Sequence, residues 1–551
     1  MKAKYNKIAM GAAVLALSLA AVSCNGELDL APKGEITKEQ INDNSIESLM
    51  SAAYAGLECH FFGNNESFAG PITNWVFDVR SDDAYKGGGG ISMEGNIHQL
   101  EVSNISSDNP TCLFKWENNY YAISRVHKAM NAIKDSKLSE AEMRELMGEL
   151  KTLRAYFYFD LNRVFRNIAY FDETENPNGK TNTEFTKAEI YEKIETDLKE
   201  AIAVLPENAT QVGRVNKYVA AAILAKVYAQ TGDYANTLTY ANMVVNSGKY
   251  ELYDNFGDMS KIAFNNKKES ILAIQFSTAN NNAHINWNNL LNTTYSDGNL
   301  FGNGDDFFLA SQNLVNAFRT DANGLPYLDG TFNDIRLTDD YTDNIDPRLD
   351  FTVGRIGFPF RGHIYNDKWC RAKDIYGEYS GKKGLIDPSS PDMVKGFPWG
   401  ASPLNFILIR YADILLLKAE AEIELNQNLD DARSIINQVR RKAARSVDAG
   451  YSPVDLDPNK ASYFVGEYPA AGWTQDYARK AVRMERRLEL AMEGQRWFDL
   501  VRWNTVVPTV NTYMQSEAHL RPYYTGCSIS ENEVYLPAPV SEVDNAQGLY
   551  K

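Results

Sequence analysis

The stretch Tyr218–Val245, YVAAAILAKVYAQTGDYANTLTYANMVV, decides the fold. Two apolar helical patterns flank Gly232-Asp233. Large Leu224, small Ala225 and aromatic Tyr228 recur on one helical face, Gly232 marks the turn, and a second aromatic, Tyr234, opens the return helix. A small residue at Ala225 lets two antiparallel helices approach closely. The plan repeats at 410–443, RYADILLLKAEAEIELNQNLDDARSIINQVRRKA, where the second helix starts near Asp430. Leu150–Arg166 reads as half of a third pair. Units of this kind bury their faces only against neighbours, so they stack into a curved scaffold with no chemistry of its own.

The spacing is that of a tetratricopeptide repeat, with Thr237 and Ala241 departing from the usual residues of the second helix. Trp116–Ile133 adds a helix with Tyr120, Ile123, Val126, Met130 and Ile133 on one side. Ser139 with Glu142, and Thr186 with Glu189, have the spacing of capping boxes, and Pro206 ends the second of these helices. Tyr477–Glu493 is helical up to Gly494. Its Arg486 and Arg487, beside Glu485 and Glu489 and followed by Arg496, Asp499 and Arg502, read as a partly buried ion-pair network that locks helices. Trp497, Phe498 and Trp503 read as core.

Between Glu251 and Pro403 helical periodicity fades. Asn, Gly, Asp, Pro and aromatics crowd together, with Ser270–Phe276 as a short strand. A long irregular block on an ordered scaffold is where binding residues concentrate. The predicted fold is therefore mostly α: a helical repeat scaffold with a loop-rich insertion carrying short strands. Its parts are a signal peptide at 1–23, a tether at 24–42, a repeat region at 43–250, a ligand-binding region at 251–403 and a second helical region at 404–551.

The start of the chain is an address. Lys2, Lys4 and Lys7 precede an uncharged apolar run from Ile8 to Ser23, too short to span a bilayer comfortably. Ala21-Val22-Ser23-Cys24 resembles a bacterial lipoprotein signal, in which Cys24 becomes the first mature residue and carries acyl chains such as palmitate. An ordinary secretory signal is the alternative. Cys59, Cys112, Cys370 and Cys527 are too few and too scattered for a disulfide scaffold, and free thiols or two disulfides both remain open.

Composition narrows the function. Lys and Arg total 56 against 72 Asp and Glu, a net charge of -16, so no basic face is predicted for nucleic acid or an anionic membrane surface. The six His include no H-x-x-x-H pair, and neither a nucleophile elbow nor a phosphate-binding G-x-x-x-x-G-K-[ST] loop is present. No cofactor or metal is predicted. Gly87–Gly90 reads as a mobile surface loop, and the acidic turn Asp297–Asp306 only weakly suggests calcium. Adjacent carboxylates such as Asp82-Asp83 and Asp305-Asp306 are expected by chance among so many acidic residues.

Several segments resemble the SusD/RagB family, surface lipoproteins of Bacteroidota that capture glycans. They are MGELKTLRAYFYFDLNRVF, GRVNKYVAAAILAKVYAQTGDY with SGKYEL, NKKESILAIQF, NFILIRYADILLLKAEAEIEL with INQVRRKA, and VYLPAPVSEVDNAQGLY. The most specific is MERRLELAMEGQRWFDLVRW. They run in family order over most of the mature chain. Phe165-Arg166-Asn167-Ile168 departs from an aromatic-Gly-Asp-Val-Pro run found in many members. The resemblance implies a lipid-anchored, exterior-facing outer-membrane protein that binds an oligosaccharide without cleaving it and passes it to a SusC-like TonB-dependent transporter. A scaffold for a peptide or protein, and an α-helical glycoside hydrolase, are the alternatives.

Sugar rings present apolar C–H faces that stack on indole and phenol. Trp287, flanked by Asn286 and Asn288, and Tyr295 are the foremost candidates in the loops. The segment Trp75–Tyr85 offers Trp75, Arg80, Asp82, Asp83 and Tyr85, although Trp75 alternates with Phe77 and Val79 as a core residue would. Tyr365 and Trp369 are a third option.

Overall fold

Side-chain caps start most of the long helices, two of them on the capping boxes read from the sequence. In the computed structural model the described residues are 43–58, 72–279, 285–295, 301–394, 396–397, 399–447 and 452–551. The signal, the tether, Cys24 and Cys59 lie outside them. Helix α1 is Asp43–Tyr54. Helix α2, Pro110–Lys134, follows Asn109, whose side chain accepts from the N–H groups of Thr111 and Cys112. Pro110 sits where a missing N–H costs nothing. Helices α3, Glu140–Val164, and α4, Lys187–Val204, open on the capping boxes Ser139/Glu142 and Thr186/Glu189. Each cap contributes about 1 kcal/mol.

Helix α5, Lys217–Thr231, and helix α6, Tyr234–Val245, form the hairpin that decides the fold. Between them Gly232 has φ +79°, and a Cβ there would meet nothing within 4 Å, so it is backbone conformation and not space that calls for glycine. Ala225 is fully buried in the helix contact. Thr237, at a position usually held by a small apolar residue, is also buried; its hydroxyl donates to the Asp233 carbonyl at 2.8 Å, which removes the penalty of a buried polar group. Helix α7, Tyr411–Glu424, and helix α8, Leu429–Arg445, are the second hairpin, and α9 is Gln475–Leu490.

Each helix from α1 to α7 packs on the next, and α7 packs on both α8 and α9. Helix α3, sandwiched between α2 and α4, is buried on every side from Thr152 to Val164. Helix α9 stops at Leu490, before the predicted Glu493, because Met492 and Gly494 adopt φ values of +61° and +71°.

The insertion leaves and rejoins this stack through one ribbon. Strand β2, Ser270–Ile274, pairs antiparallel with β4, Phe406–Arg410. A second ribbon joins β1, Ala84–Gly87, to β3, Phe307–Ala310. Between them the insertion is largely irregular, with short helices and its own small core around Phe301, Phe360, Tyr365 and Leu385. Tyr365 is fully buried there and serves as packing, with the partly exposed Trp369 edge-on against it.

Buried ion pairs tie the insertion to the stack. Arg348 reaches Glu485 at 2.7 Å and Glu489 at 3.0 Å; Arg410 reaches Glu269 and Glu489 at 2.9 and 2.8 Å; Lys442 pairs with the same two glutamates. Arg486 adds Asp413 at 2.8 Å and Asp499 at 2.9 Å, which is the network the arginine-rich motif predicts. Trp497, Phe498 and Trp503 are buried, as core residues should be.

The glycine run differs from its reading as a surface loop. Lys86 Nζ donates to the carbonyls of Gly87, Gly90 and Met93, and the Gly88 N–H donates to the Asp306 carbonyl. Of the four glycines only Gly89 is exposed. A buried ammonium needs acceptors on several sides, and a chain free to turn at positive φ supplies them. Cys112, Cys370 and Cys527 are free thiols.

Candidate ligand-binding site

Asparagines build the loop that carries Trp287. The Asn286 N–H donates to the Ser402 carbonyl at 3.1 Å, and its side-chain amide donates to the Leu404 carbonyl at 3.2 Å. Its Oδ1 accepts the Asn288 N–H at 2.9 Å, a side chain standing in for a backbone turn. Asn289 ties the loop to the Gly384 carbonyl at 2.7 Å. These bonds fix Trp287 between two clamped neighbours and leave it partly exposed.

Two further aromatics join it. Phe397 meets Trp287 edge-on, with ring centroids 5.4 Å apart and planes at 76°. Trp399 meets Phe397 at 6.0 Å and 87°. Phe397 is 53% exposed and Trp399 partly so. Trp399 is seated by Gly302, where a Cβ would stand 2.6 Å from the indole, and by the Gly400 N–H donating to the Phe301 carbonyl. Close approach is the reason for glycine at 302.

Tyr295, at the end of the Trp287 loop, is 40% exposed. The Arg371 guanidinium lies 5.3 Å from its ring centroid and pairs with Asp305. Next to it, the Asp306 carboxylate accepts from the Arg371 N–H and the Ser380 hydroxyl. Burial nonetheless pushes the Asp306 carboxyl up to about 6. Among the described residues, the exposed aromatics are Tyr121, Tyr295, Phe397 and Phe464, so two of the four lie on these loops. Apolar ring faces beside an arginine–carboxylate pair suit a flat ligand with an apolar face and a polar edge.

Trp287 and Tyr295 thus lie on one loop, the first partly exposed and the second exposed. Phe397 and Trp399 belong with them and were not singled out in the sequence, although both sit among Gly and Pro in Gly396-Phe397-Pro398-Trp399-Gly400, a turn composition that keeps rings out of the core. Asn288 and Trp75 lie behind the loop, both 3% exposed and both lining one cavity.

The remaining four candidates are not brought to this surface. Arg80 is 1% exposed, lies over the Trp497 ring at 3.9 Å and donates to the Glu533 carbonyl at 2.7 Å. Asp82 takes two hydrogen bonds from Arg496, at 2.8 and 2.9 Å, and Arg487 approaches within 3.1 Å. Burial would raise the Asp82 carboxyl, but the two guanidinium groups overcome that and hold it well below the usual carboxylate range. Asp83 pairs with Arg487 at 2.8 Å. Tyr85 is fully buried, donates to Glu517 and accepts the Gln312 N–H. Asp82, Asp83 and Tyr85 are taken up by bonds within the protein, and Arg80, whose Nε and Nη1 have no hydrogen-bond partner among the described residues, is buried away from the open surface.

Among the described residues no group of three or more His, Cys, Asp or Glu is placed to hold a metal ion. Of the acidic turn, residues 297–300 lie outside the described set.

Two family models match. Residues 399–551 match the model described as SusD family, and residues 76–229 match the model described as starch-binding associating with outer membrane. A SusD-like protein of Bacteroides ovatus is 25% identical over 532 residues, spanning 90% of this chain and 82% of that protein. Two models of SusD type thus match separate stretches of the chain, and the relative that spans most of its length is a SusD-like protein. A SusD superfamily protein of Bacteroides vulgatus superposes with a TM-score of 0.69 at 20% identity, covering 93% of this chain and 98% of the other. The surface glycan-binding protein A of Bacteroides thetaiotaomicron, solved with laminarihexaose, gives 0.67 at 21% identity over 92% and 98%. These likenesses establish a SusD-like helical fold.

Proposed function

We propose that this SusD-like protein binds an oligosaccharide or polysaccharide on the shelf formed by Trp287, Phe397 and Trp399, with Tyr295 and Arg371 at its edge. The observation that carries the reading is this set of edge-to-face rings, open to solvent and held by bonded turns. Stacking supplies affinity and the Arg371–Asp305 pair addresses hydroxyls. Family kinship supports it, as do relatives named for laminarin and starch binding. On the same reading Cys24 carries the lipid that holds the protein on the outer face of the outer membrane. The cargo is passed intact to a SusC-like TonB-dependent transporter, and no bond in it is cleaved.

A glycan array and affinity gels containing soluble polysaccharides test this with wild type and Trp287→Ala. Retention of the wild type and a roughly five- to thirtyfold loss of affinity in the variant are expected. Absence of any retarding glycan would sink the reading, and reducing ends released from a bound glycan would replace it with hydrolysis.

A further inference from the structure

Behind the loop that carries Trp287 lies a cavity of about 80 Å³ with an unmet demand for hydrogen bonds. Trp75 and Asn288 line it, each 3% exposed. Among the described residues, neither the Nδ2 nor the Oδ1 of Asn288 has a partner, whichever way its amide is turned. The indole Nε1 of Trp75 and the Oδ1 of Asn292, which also lines the cavity, are likewise unpartnered. Leaving one such buried group unmet costs about 1–3 kcal/mol, and the three residues that carry these four atoms all line one space, which calls for an occupant.

The demand has a definite sign. Two of the four atoms donate and two accept. An anion would satisfy donors only, and a cation acceptors only. The charged groups on the wall are already matched: Lys383 pairs with Glu493 at 2.6 Å, and Arg410 with the same carboxylate at 2.8 Å. The occupant is therefore neutral, and each of its polar groups gives and takes hydrogen bonds, as a hydroxyl does. Much of the remaining wall is apolar, from Trp75, Phe308, Leu404 and Met492, which suits C–H groups. An ordered water takes roughly 10–15 Å³ on this scale, so the space holds about six, comparable in bulk to one sugar ring. Lys383, Asn292 and Phe406 at the rim are partly exposed, so the cavity reaches the surface.

We propose that this cavity is an inner subsite that accepts one terminal monosaccharide unit, with Asn288, Asn292 and the Trp75 N–H reading its hydroxyls while the aromatic shelf holds the rest of the chain. The proposal rests on the carbohydrate reading above and deepens it. It also accounts for two predicted site residues, Trp75 and Asn288, that are buried with unpartnered polar atoms.

The test uses protein labelled with ¹⁵N at tryptophan, where each indole N–H gives one resonance and Trp75→Phe identifies its own. The probes are glucose, galactose, mannose, xylose, N-acetylglucosamine and hexameric glucans. Movement of the Trp75 resonance on addition of a sugar is expected. Asn288→Leu, which fills the space with apolar atoms, is expected to abolish that movement, lower glycan affinity about tenfold and leave the Trp287 response intact. If Trp287 or Trp399 responds and Trp75 stays still, the cavity holds water alone and the proposal falls while the shelf stands. If no indole responds to any probe, both readings fall. Should Asn288→Leu not fold, Trp75→Phe is read by glycan affinity instead: it removes the N–H donor with the five-membered ring and keeps an aromatic side chain, and an affinity equal to wild type would overturn the proposal.

Discussion

Two segments of similar composition have opposite fates. Trp75–Tyr85 and Trp287–Tyr295 both combine aromatics with polar side chains. The first is packed away on arginines from the far end of the chain: Arg487 holds Asp83, and Arg496 holds Asp82. The second is clamped through its asparagines, which use the backbone around Gly384, Ser402 and Leu404 and leave the rings outside. What separates them is the partner each finds. Carboxylates that meet guanidinium groups in the interior become structure, whereas aromatics on a loop whose bonds are made by neighbouring amides stay available.

The contrast is broken or sharpened by substitution, beginning with the largest effect. Arg487→Met strips Asp83 of its nearest buried cation and Asp82 of one of two, so stability should fall by about 3–5 kcal/mol, read as a lower denaturation midpoint. If the midpoint does not move, the first segment is not held as described.

Next comes Asp306, beside the second segment. Its folded carboxyl titrates near 6, above its unfolded value, so its contribution is complete below the unfolded pKa of about 3.9 and is lost as pH rises through 6. Stability should drop by up to roughly 3 kcal/mol between pH 4 and 6.5 on this account. Asp306→Asn should flatten that part of the profile in urea titrations at stepped pH; an unchanged slope would refute it.

Trp287→Ala should cost about 1–2 kcal/mol of glycan binding with the melting temperature almost unmoved, since the indole is only partly buried. A large loss of stability would place Trp287 with the first segment. Tyr295→Ala, at the edge of the shelf, should weaken binding by less than about 1 kcal/mol. Calorimetric titration of both variants against one glycan ranks them.

The scaffold was legible because its signals are local. Capping boxes at Ser139 and Thr186, the turn at Gly232 and the apolar faces around it all act within a few residues, and each stands where the spacing put it. The site was legible only in part. Trp287 and Tyr295 declare themselves through surrounding asparagines and polar turns. Phe397 and Trp399 join them through folding of a loop more than a hundred residues later, a contact no local spacing encodes. The burial of Asp82 and Asp83 hangs on arginines some four hundred residues downstream. Sequence displays both halves of that pairing and gives no means of matching them.

The β2–β4 ribbon has a consequence for how such a molecule changes its taste. It brings together the two points at which the irregular block departs and returns, so the chain between them can be lengthened or rewritten at small entropic cost, about 0.6 kcal/mol per doubling of length. The helical stack then serves as a chassis and the block as a cartridge. Exchange is restricted where the cartridge is pinned, at Arg348 and at β3. On the proposed carbohydrate reading, transplanting the block from a SusD-like relative, with those pins retained, should change sugar preference on an unchanged frame.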